Sequence, residues 1–490
     1  MRAHVSVNDG NGGAPRRDES PAAAGSGRSP EHGGGEGSSQ LRPRRGKMSR
    51  REVREHQRAR LHAALLAGIA EDGYEALTAR SLCARAGVSS RTLYELYGGK
   101  ERLFLAVHAE LSERAARRAE VAWARDPTWP AGLRFALADW LEAIAADPLP
   151  ARVILLEPYA VGASALAALE RMHARFATLM ARALEGRSAR LTLPSVLPMA
   201  LQAGIARVIG AALAAEHSAA LPALAEPLCA WADCYVHADL AQLQTLLRQD
   251  LGSGASQEHW RGQEPERERL LSATVALAGT RGYHGLTVEA ICALAETSSG
   301  VFHRHFADLE ECFLAAYEQV ALRALLMASA TARGAESWPG VVHRAIFGLA
   351  RHFARGGAEA RVAFVEVFAA GRAGLAVRDR LLGPIGDLLS GLIPPERRPG
   401  DVALQATIGA AWGLAQGRVL ARRADELTAL VPCFSFLALA PVLGAGSALS
   451  EIRAEHAALC AAEPAPAASA LAEEPDGAAD DSERDAPEGL

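Results

Sequence analysis

Apolar residues recur at helical spacing along most of the chain. In residues 51–72 they fall at Leu61, Leu65, Leu66 and Ile69, which line one face of a helix. Thr78 is a good N-cap for a short helix that turns Leu82 and Ala86 inward. Gly87 accepts the left-handed backbone that ends such a helix, and Ser89 can cap a second one carrying Leu93 and Tyr97. A fourth helix begins near Gly99 and Lys100, passes Leu103, Phe104, Val107 and Leu111, and stops near Arg125 before Asp126 and Pro127. Two short helices joined by a turn of three or four residues make a helix-turn-helix, whose second helix fits the DNA major groove.

This pattern is written twice. Residues 73–106 and 282–315 align without a gap, 209 apart, and 13 of the 34 positions are identical, among them Gly73/Gly282, Tyr74/Tyr283, Thr78/Thr287, Cys83/Cys292, Ser89/Ser298 and Phe104/Phe313. The relation runs on beyond the motif. Trp129-Pro130 recurs as Trp338-Pro339, and ARVILLEPYAVGASAL from Ala151 recurs as ARVAFVEVFAAGRAGL from Ala360, at the same separation. Further along, Leu201-Gln202-Ala203 matches Leu404-Gln405-Ala406 at 203, so the second copy has lost about six residues in between. Two whole subunits, each a head and a body, are fused in one chain.

AGVSSRTLYELYGGKERLF, residues 86–104, together with the Gly-Tyr before it and the Leu-Phe at its end, resembles the recognition-helix signature of the TetR family of bacterial transcriptional regulators. The resemblance implies an all-α fold of two tandem TetR-like units, each with a three-helix helix-turn-helix head and a helical body for ligand binding and dimerisation. Residues 48–118 and 267–327 are the expected heads, and 119–250 and 328–460 the bodies. Residues 251–266, with Gly252, Ser253, Gly254 and Ser256, read as the linker. Residues 1–47 are rich in Gly, Pro, Ser and Arg and read as disordered. Their basic end is either an arm for the minor groove or phosphates, or a solubilising tail or upstream extension before a start at Met48. Residues 461–490 form an acidic tail, with nine acidic residues against one Arg in 463–490.

Composition agrees with a helical chain: 49% of residues are apolar but only 5% aromatic, with abundant Ala and Leu. A formal net charge of −5 does not announce a nucleic-acid binder, so the placement of basic residues matters. Seven cysteines, an odd number, fit a reducing compartment, and Cys83 and Cys292 read as buried structural thiols. Apolar stretches such as 191–206 contain Pro194 and Pro198 and stop short of the ~20 residues of a spanning helix. The expected location is cytoplasmic, without membrane, metal or cofactor.

In the first head, base reading is expected from residues 90–96. Arg91 points outward and can grip guanine or a phosphate, and the resemblance assigns Thr92 and Tyr94 to the DNA face. Thr78, Arg80, Ser89 and Ser90 flank them, and Lys100 is expected to meet a phosphate at the start of the fourth helix. The corresponding set in the second head is Ser298, Ser299, Gly300, His303 and His305. There Glu296-Thr297 replaces Gly87-Val88, Gly300 replaces Arg91, His303 replaces Tyr94 and Leu309 replaces Lys100. Residues 48–118 hold 13 basic and 9 acidic side chains, whereas 257–327 hold 6 and 10. Phosphate neutralisation supplies much of DNA affinity, so the second head should bind more weakly or read a different half-site with help from His303, Arg304 and His305.

The family resemblance places dimer contacts in the last two helices of each body, here 201–216 with 223–247 and 404–421 with 427–442. Gly204, Ala206, Gly210 and Ala211 would let helices approach closely. It also implies a pocket for a small, mostly apolar effector of unknown identity. The expected function is a ligand-responsive repressor of a double-stranded DNA operator. It would act as an intrachain pseudo-dimer on half-sites ~34 Å apart, or as a homodimer of chains. Unlike heads predict an asymmetric operator. The rival from another class is a ligand- or protein-binding helical scaffold with degenerate heads. No nucleophile-base arrangement, phosphate loop or metal spacing points to an enzyme.

Overall fold

A computed structural model describes residues 49–185, 196–249, 251 and 265–462. The expected arm at 1–47, most of the linker and nearly all of the acidic tail lie outside them. The chain divides into two compact parts, Met1–Glu52 and Val53–Leu490. Of the first, only the end is described. There Ser49 Oγ accepts from Glu52 N at 3.2 Å while Glu52 Oε2 accepts from Ser49 N at 2.6 Å, a reciprocal helix start.

Every regular element among the described residues is helical. The first unit holds α1 (Arg50–Ala76), α2 (Ala79–Ala86), α3 (Ser90–Tyr97), α4 (Lys100–Trp123), α5 (Ala131–Ala146), α6 (Leu149–Leu155), α7 (Glu157–Val161), α8 (Ala163–Glu185), α9 (Val196–Ala214), α10 (Ala225–Asp233) and α11 (Leu240–Leu246). The second holds α12 (Glu266–Arg281), α13 (Val288–Leu294), α14 (Ser299–His305), α15 (Leu309–Ala332), α16 (Trp338–Arg355), α17 (Gly357–Arg361), a π-helical turn at Val362–Glu366, α18 (Val367–Ala369), α19 (Gly371–Leu392), α20 (Asp401–Leu420), α21 (Val431–Leu443) and α22 (Ala445–Ala462).

Each head closes around side chains from its four helices. Leu61, Leu65, Ile69, Leu82, Leu93, Leu103 and Phe104 are fully buried in the first; Leu270, Leu271, Ile291, Phe302 and Phe313 are in the second. Burying a Leu or Phe of this kind contributes roughly 1.5–3 kcal/mol, which lets such short helices hold. Gly73 and Gly282 break the first helix of each copy with the same backbone, φ 78° in both. Both repeat cysteines are buried in these cores.

The two units pack through their bodies. α9 lies along α20, and α10 and the turn after it reach α20 and α21. Small residues set the approach: a Cβ on Gly204 would lie 2.4 Å from the Trp231 ring and 2.5 Å from the Ala406 carbonyl oxygen, and one on Gly413 2.4 Å from Ala203 Cβ. Hydrogen bonds cross the same seam, from Trp231 Nε1 to Thr407 Oγ1 at 3.1 Å and from the Tyr235 hydroxyl to Leu437 O at 2.9 Å.

Some elements differ from the sequence reading. Residues 223–247 are not one helix: 3-10 turns at Ser218–Leu224 and Cys234–Val236 flank α10, and α11 starts afresh where Asp239 accepts from Ala241 N at 3.1 Å. A capping aspartate competes with helix continuation, which periodicity alone does not register. Residues 427–442 likewise begin as a 3-10 turn, Ala424–Leu430, and α21 follows with Pro432 in its first turn. Three helical stretches are long and apolar enough to cross a membrane by length and composition: Val196–Ala214, Leu309–Ala332 and Ala424–Leu443. The first and third are two-thirds buried within the protein, so packing between helices accounts for their apolar character.

Candidate nucleic-acid interface

In the first head the turn is built by caps. Thr78 Oγ1 accepts from Ser81 N at 3.0 Å and Ser81 Oγ accepts from Thr78 N at 3.0 Å. Ser89 Oγ accepts from Thr92 N at 3.1 Å and contacts Thr92 Oγ1 at 2.9 Å. Gly87 ends α2 at φ 59°, and Arg60 donates to its carbonyl at 3.0 Å. With Leu93 buried, the opposite face of α3 offers Ser90, Arg91, Tyr94 and Glu95 to solvent. Tyr94 is 58% exposed. The Arg91 side chain is 87% exposed and pairs with Glu95 at 2.6 Å. Arg80 on α2 is exposed, while Arg85 is held by both carboxylate oxygens of Glu71 at 2.7 Å.

Lys100 behaves differently from its expected role. Its ammonium donates to the carbonyls of Leu77 at 2.7 Å and Tyr74 at 3.2 Å and lies 3.9 Å from the centre of the Tyr74 ring. Partial burial lowers its pKa. The cation thus braces the end of α1 against α4. What the start of α4 leaves for a phosphate is its amides, since Gly99 supplies no capping side chain.

The second head repeats the shape with other chemistry. Thr287 and Ser298 cap α13 and α14 as Thr78 and Ser89 do. Ser299, Gly300 and His303 are exposed on α14, but Arg304 and His305 lean toward Glu266, at 3.2 and 3.7 Å. At the start of α15, Asp308 accepts from Glu311 N at 2.9 Å and Glu311 accepts from Ala307 N at 2.6 Å. Carboxylates therefore occupy the position where the first head has open amides. Glu296 takes the left-handed backbone, φ 52°, that Gly87 holds in the first copy.

One contact between head and body has no counterpart in the sequence reading. Glu157 is buried and joins body to head: Oε2 accepts from Tyr74 N at 3.0 Å and Oε1 from Arg152 Nε at 2.9 Å. The second unit repeats it, with Glu366 Oε2 accepting from Tyr283 N at 2.8 Å and Oε1 pairing with Arg361 at 2.9 Å. Arg and Glu five apart do not face each other on an α-helix. The kink at Leu156 and the π-helical turn at Val362–Glu366 bring them together. The signal was present as the Arg and Glu shared by ARVILLE and ARVAFVE.

Both heads match the family of bacterial regulatory proteins, tetR family, over residues 62–107 and 270–316. The chain thus carries the tetR-family helix-turn-helix region twice, in tandem. No curated protein matches it. Among solved structures, it is similar to the transcriptional regulator FadR from Bacillus subtilis in complex with stearoyl-CoA, at 17% identity over 36% of this chain and 96% of that one, TM-score 0.32. It is also similar to a TetR family transcription regulator from Marinobacter aquaeolei VT8, at 22% identity over 36% and 97%, TM-score 0.29. The tetR-type region is present twice, and the two copies expose different side chains at equivalent positions.

Proposed function

We propose that the chain is a ligand-responsive repressor that binds double-stranded operator DNA as an intrachain pseudo-dimer in the cytoplasm, with no catalytic role. The observation that carries this reading is the contrast at equivalent positions. The first head offers Ser90, Arg91, Tyr94 and the open start of α4, whereas the second offers Gly300, His303 and a carboxylate-capped helix start. Arg91, with Thr92 and Tyr94 beside it, does the base reading, and the α4 amides hold a phosphate in place of Lys100. Thr78 and Ser89 act through the helices they cap. The second head supplies a weaker half-contact through Ser298, Ser299, Gly300, His303 and His305. An effector lowers DNA affinity by favouring a body conformation in which the heads are wrongly spaced, and a nearly complete switch needs roughly 5.5 kcal/mol of preference.

The acid-capped second head also favours a narrower reading, in which that copy serves only as a dimer partner. Selecting bound DNA fragments with the purified chain separates the two. An asymmetric site with two half-sites supports a working second head, and a single half-site supports the narrower reading. No enrichment at all would leave the scaffold alternative standing instead of a repressor.

A further inference from the structure

A cavity of about 770 Å3 lies between the two units, lined by residues of α1, α7, α8 and α9 and by α18, α19 and α20. It is large enough for a drug-sized molecule. Arg207 of the first unit and Arg378 of the second both line it, and both bind the same carboxylate oxygen. Asp379 Oδ1 accepts from Arg207 at 3.2 Å and from Arg378 Nε and its terminal nitrogen at 2.9 and 2.7 Å. Two guanidiniums therefore share one carboxylate. Burial, then the nearby Arg378 charge, pulls the Arg207 pKa down, as expected of a cation short of anionic partners.

Two further polar atoms at the lining lack a partner among the described residues. They are Trp412 Nε1, a donor only, and His173 Nε2, both buried. Carboxylates are present too, but they are spoken for or screened. Glu157 is tied to Arg152 and Tyr74, and Glu170 lies 3.7 Å from His173. Asp72, Glu75 and Glu216 are exposed to solvent, where their fields decay within about 10 Å.

We propose that this cavity is the effector site and takes one organic anion per chain, its acidic group on the guanidinium edges of Arg207 and Arg378 that Asp379 does not occupy, and its apolar rings against Tyr159 and Trp412. The assignment rests on the ligand-responsive reading above and gives it a ligand class and a place. One molecule per chain follows from the repeat. The position equivalent to Arg378 is Leu169 and that equivalent to Arg207 is Ala410, so the opposite side of the pseudo-twofold lacks both cations. The cavity also touches Gly73, Tyr74 and Glu157, the junction that fixes the first head. The equivalent junction of the second head, Gly282, Tyr283 and Glu366, lines a separate space of about 190 Å3. The anion therefore acts on the head with the DNA-reading side chains.

Isothermal titration of the full chain with 2-naphthoate and with the size-matched cation 2-naphthylmethylammonium tests this without DNA. The expected result is one naphthoate per chain and no heat of binding for the cation. Arg207→Gln and Arg378→Gln should each weaken naphthoate about tenfold or more, the loss of a charge-assisted contact. Arg207→Lys should retain part of the affinity. If the glutamine variants fail to fold, Ala211→Phe, which adds bulk to the lining and changes no charge, should abolish binding. No naphthoate binding, two naphthoates per chain, equal binding of the cation, or affinity indifferent to both arginines would overturn the assignment. Naphthoate binding as described in a chain that selects no DNA would support the site while sinking the repressor reading.

Discussion

Tyr159 and Phe368 stack with ring centroids 4.1 Å apart and planes inclined by 29°, and they occupy the same position of the duplicated sequence, 209 residues apart. Equivalent side chains meet each other only at a twofold axis, here an approximate one within a single chain. Light scattering behind gel filtration should therefore give a particle of about the chain mass, 51.6 kDa. A stable particle of twice that mass at low concentration would show that pairing occurs between chains. Phe368→Ala removes a nearly fully buried ring and should cost about 3–5 kcal/mol in urea unfolding.

Glu157→Ala should loosen the first head from its body. It removes a buried acceptor for Tyr74 N–H and the partner of Arg152, contacts to a charged group worth about 1.5–3 kcal/mol each. Operator affinity should fall with stability. Glu366→Ala should cost comparable stability but far less DNA affinity, and equal effects on DNA binding would count against unequal heads.

Much of the head was legible because its signals are local. Thr78, Ser89, Thr287 and Ser298 cap helices within three residues of themselves, and the repeat fixed both copies at once. What escaped notice depends on distant partners. Lys100 turns to the carbonyls of Tyr74 and Leu77, Glu157 reaches Tyr74 across 83 residues, and Arg207 meets Asp379 across 172. Spacing within a helix carries no information about such contacts. The cavity between the units was invisible for the same reason, since each copy contributes only part of its wall.

Arg91→Ala should weaken specific DNA binding about tenfold in a salt-matched assay, whereas Arg304→Ala, on the side chain held by Glu266, should change it little. Glu95→Gln should tighten binding by releasing Arg91 from its ion pair. No response to Arg91→Ala would remove α3 from the reading surface.

Glu296→Gly should stabilise the second head by about 1 kcal/mol, because a left-handed backbone carries a steric cost for any residue with a Cβ. Gly87→Ala should do the reverse in the first head, where the new Cβ would also meet the Arg60 guanidinium. Denaturation midpoints of the two variants, measured at constant m, decide both.

Acid should destabilise the chain through His343, which is fully buried between Ser435 and His456 and whose pKa burial lowers to about 3. The unfolded state takes up the proton first, near pH 6.5, so stability is complete above that value and falls as pH drops toward 3. The slope from this group approaches 1.4 kcal/mol per pH unit. Melting temperatures between pH 7.5 and 4.5 should fall more steeply for the parent chain than for His343→Gln, and parallel curves would exclude His343 as the source.

The seam between α9 and α20 also decides who may pair with whom. Gly409 leaves room for Arg207, since a Cβ there would lie 2.4 Å from Arg207 Cβ. The first unit carries Ala206 at the position equivalent to Gly409. Two first units placed face to face in the same geometry would bring that methyl against Arg207, a contact that disfavours pairing of this half with its own likeness.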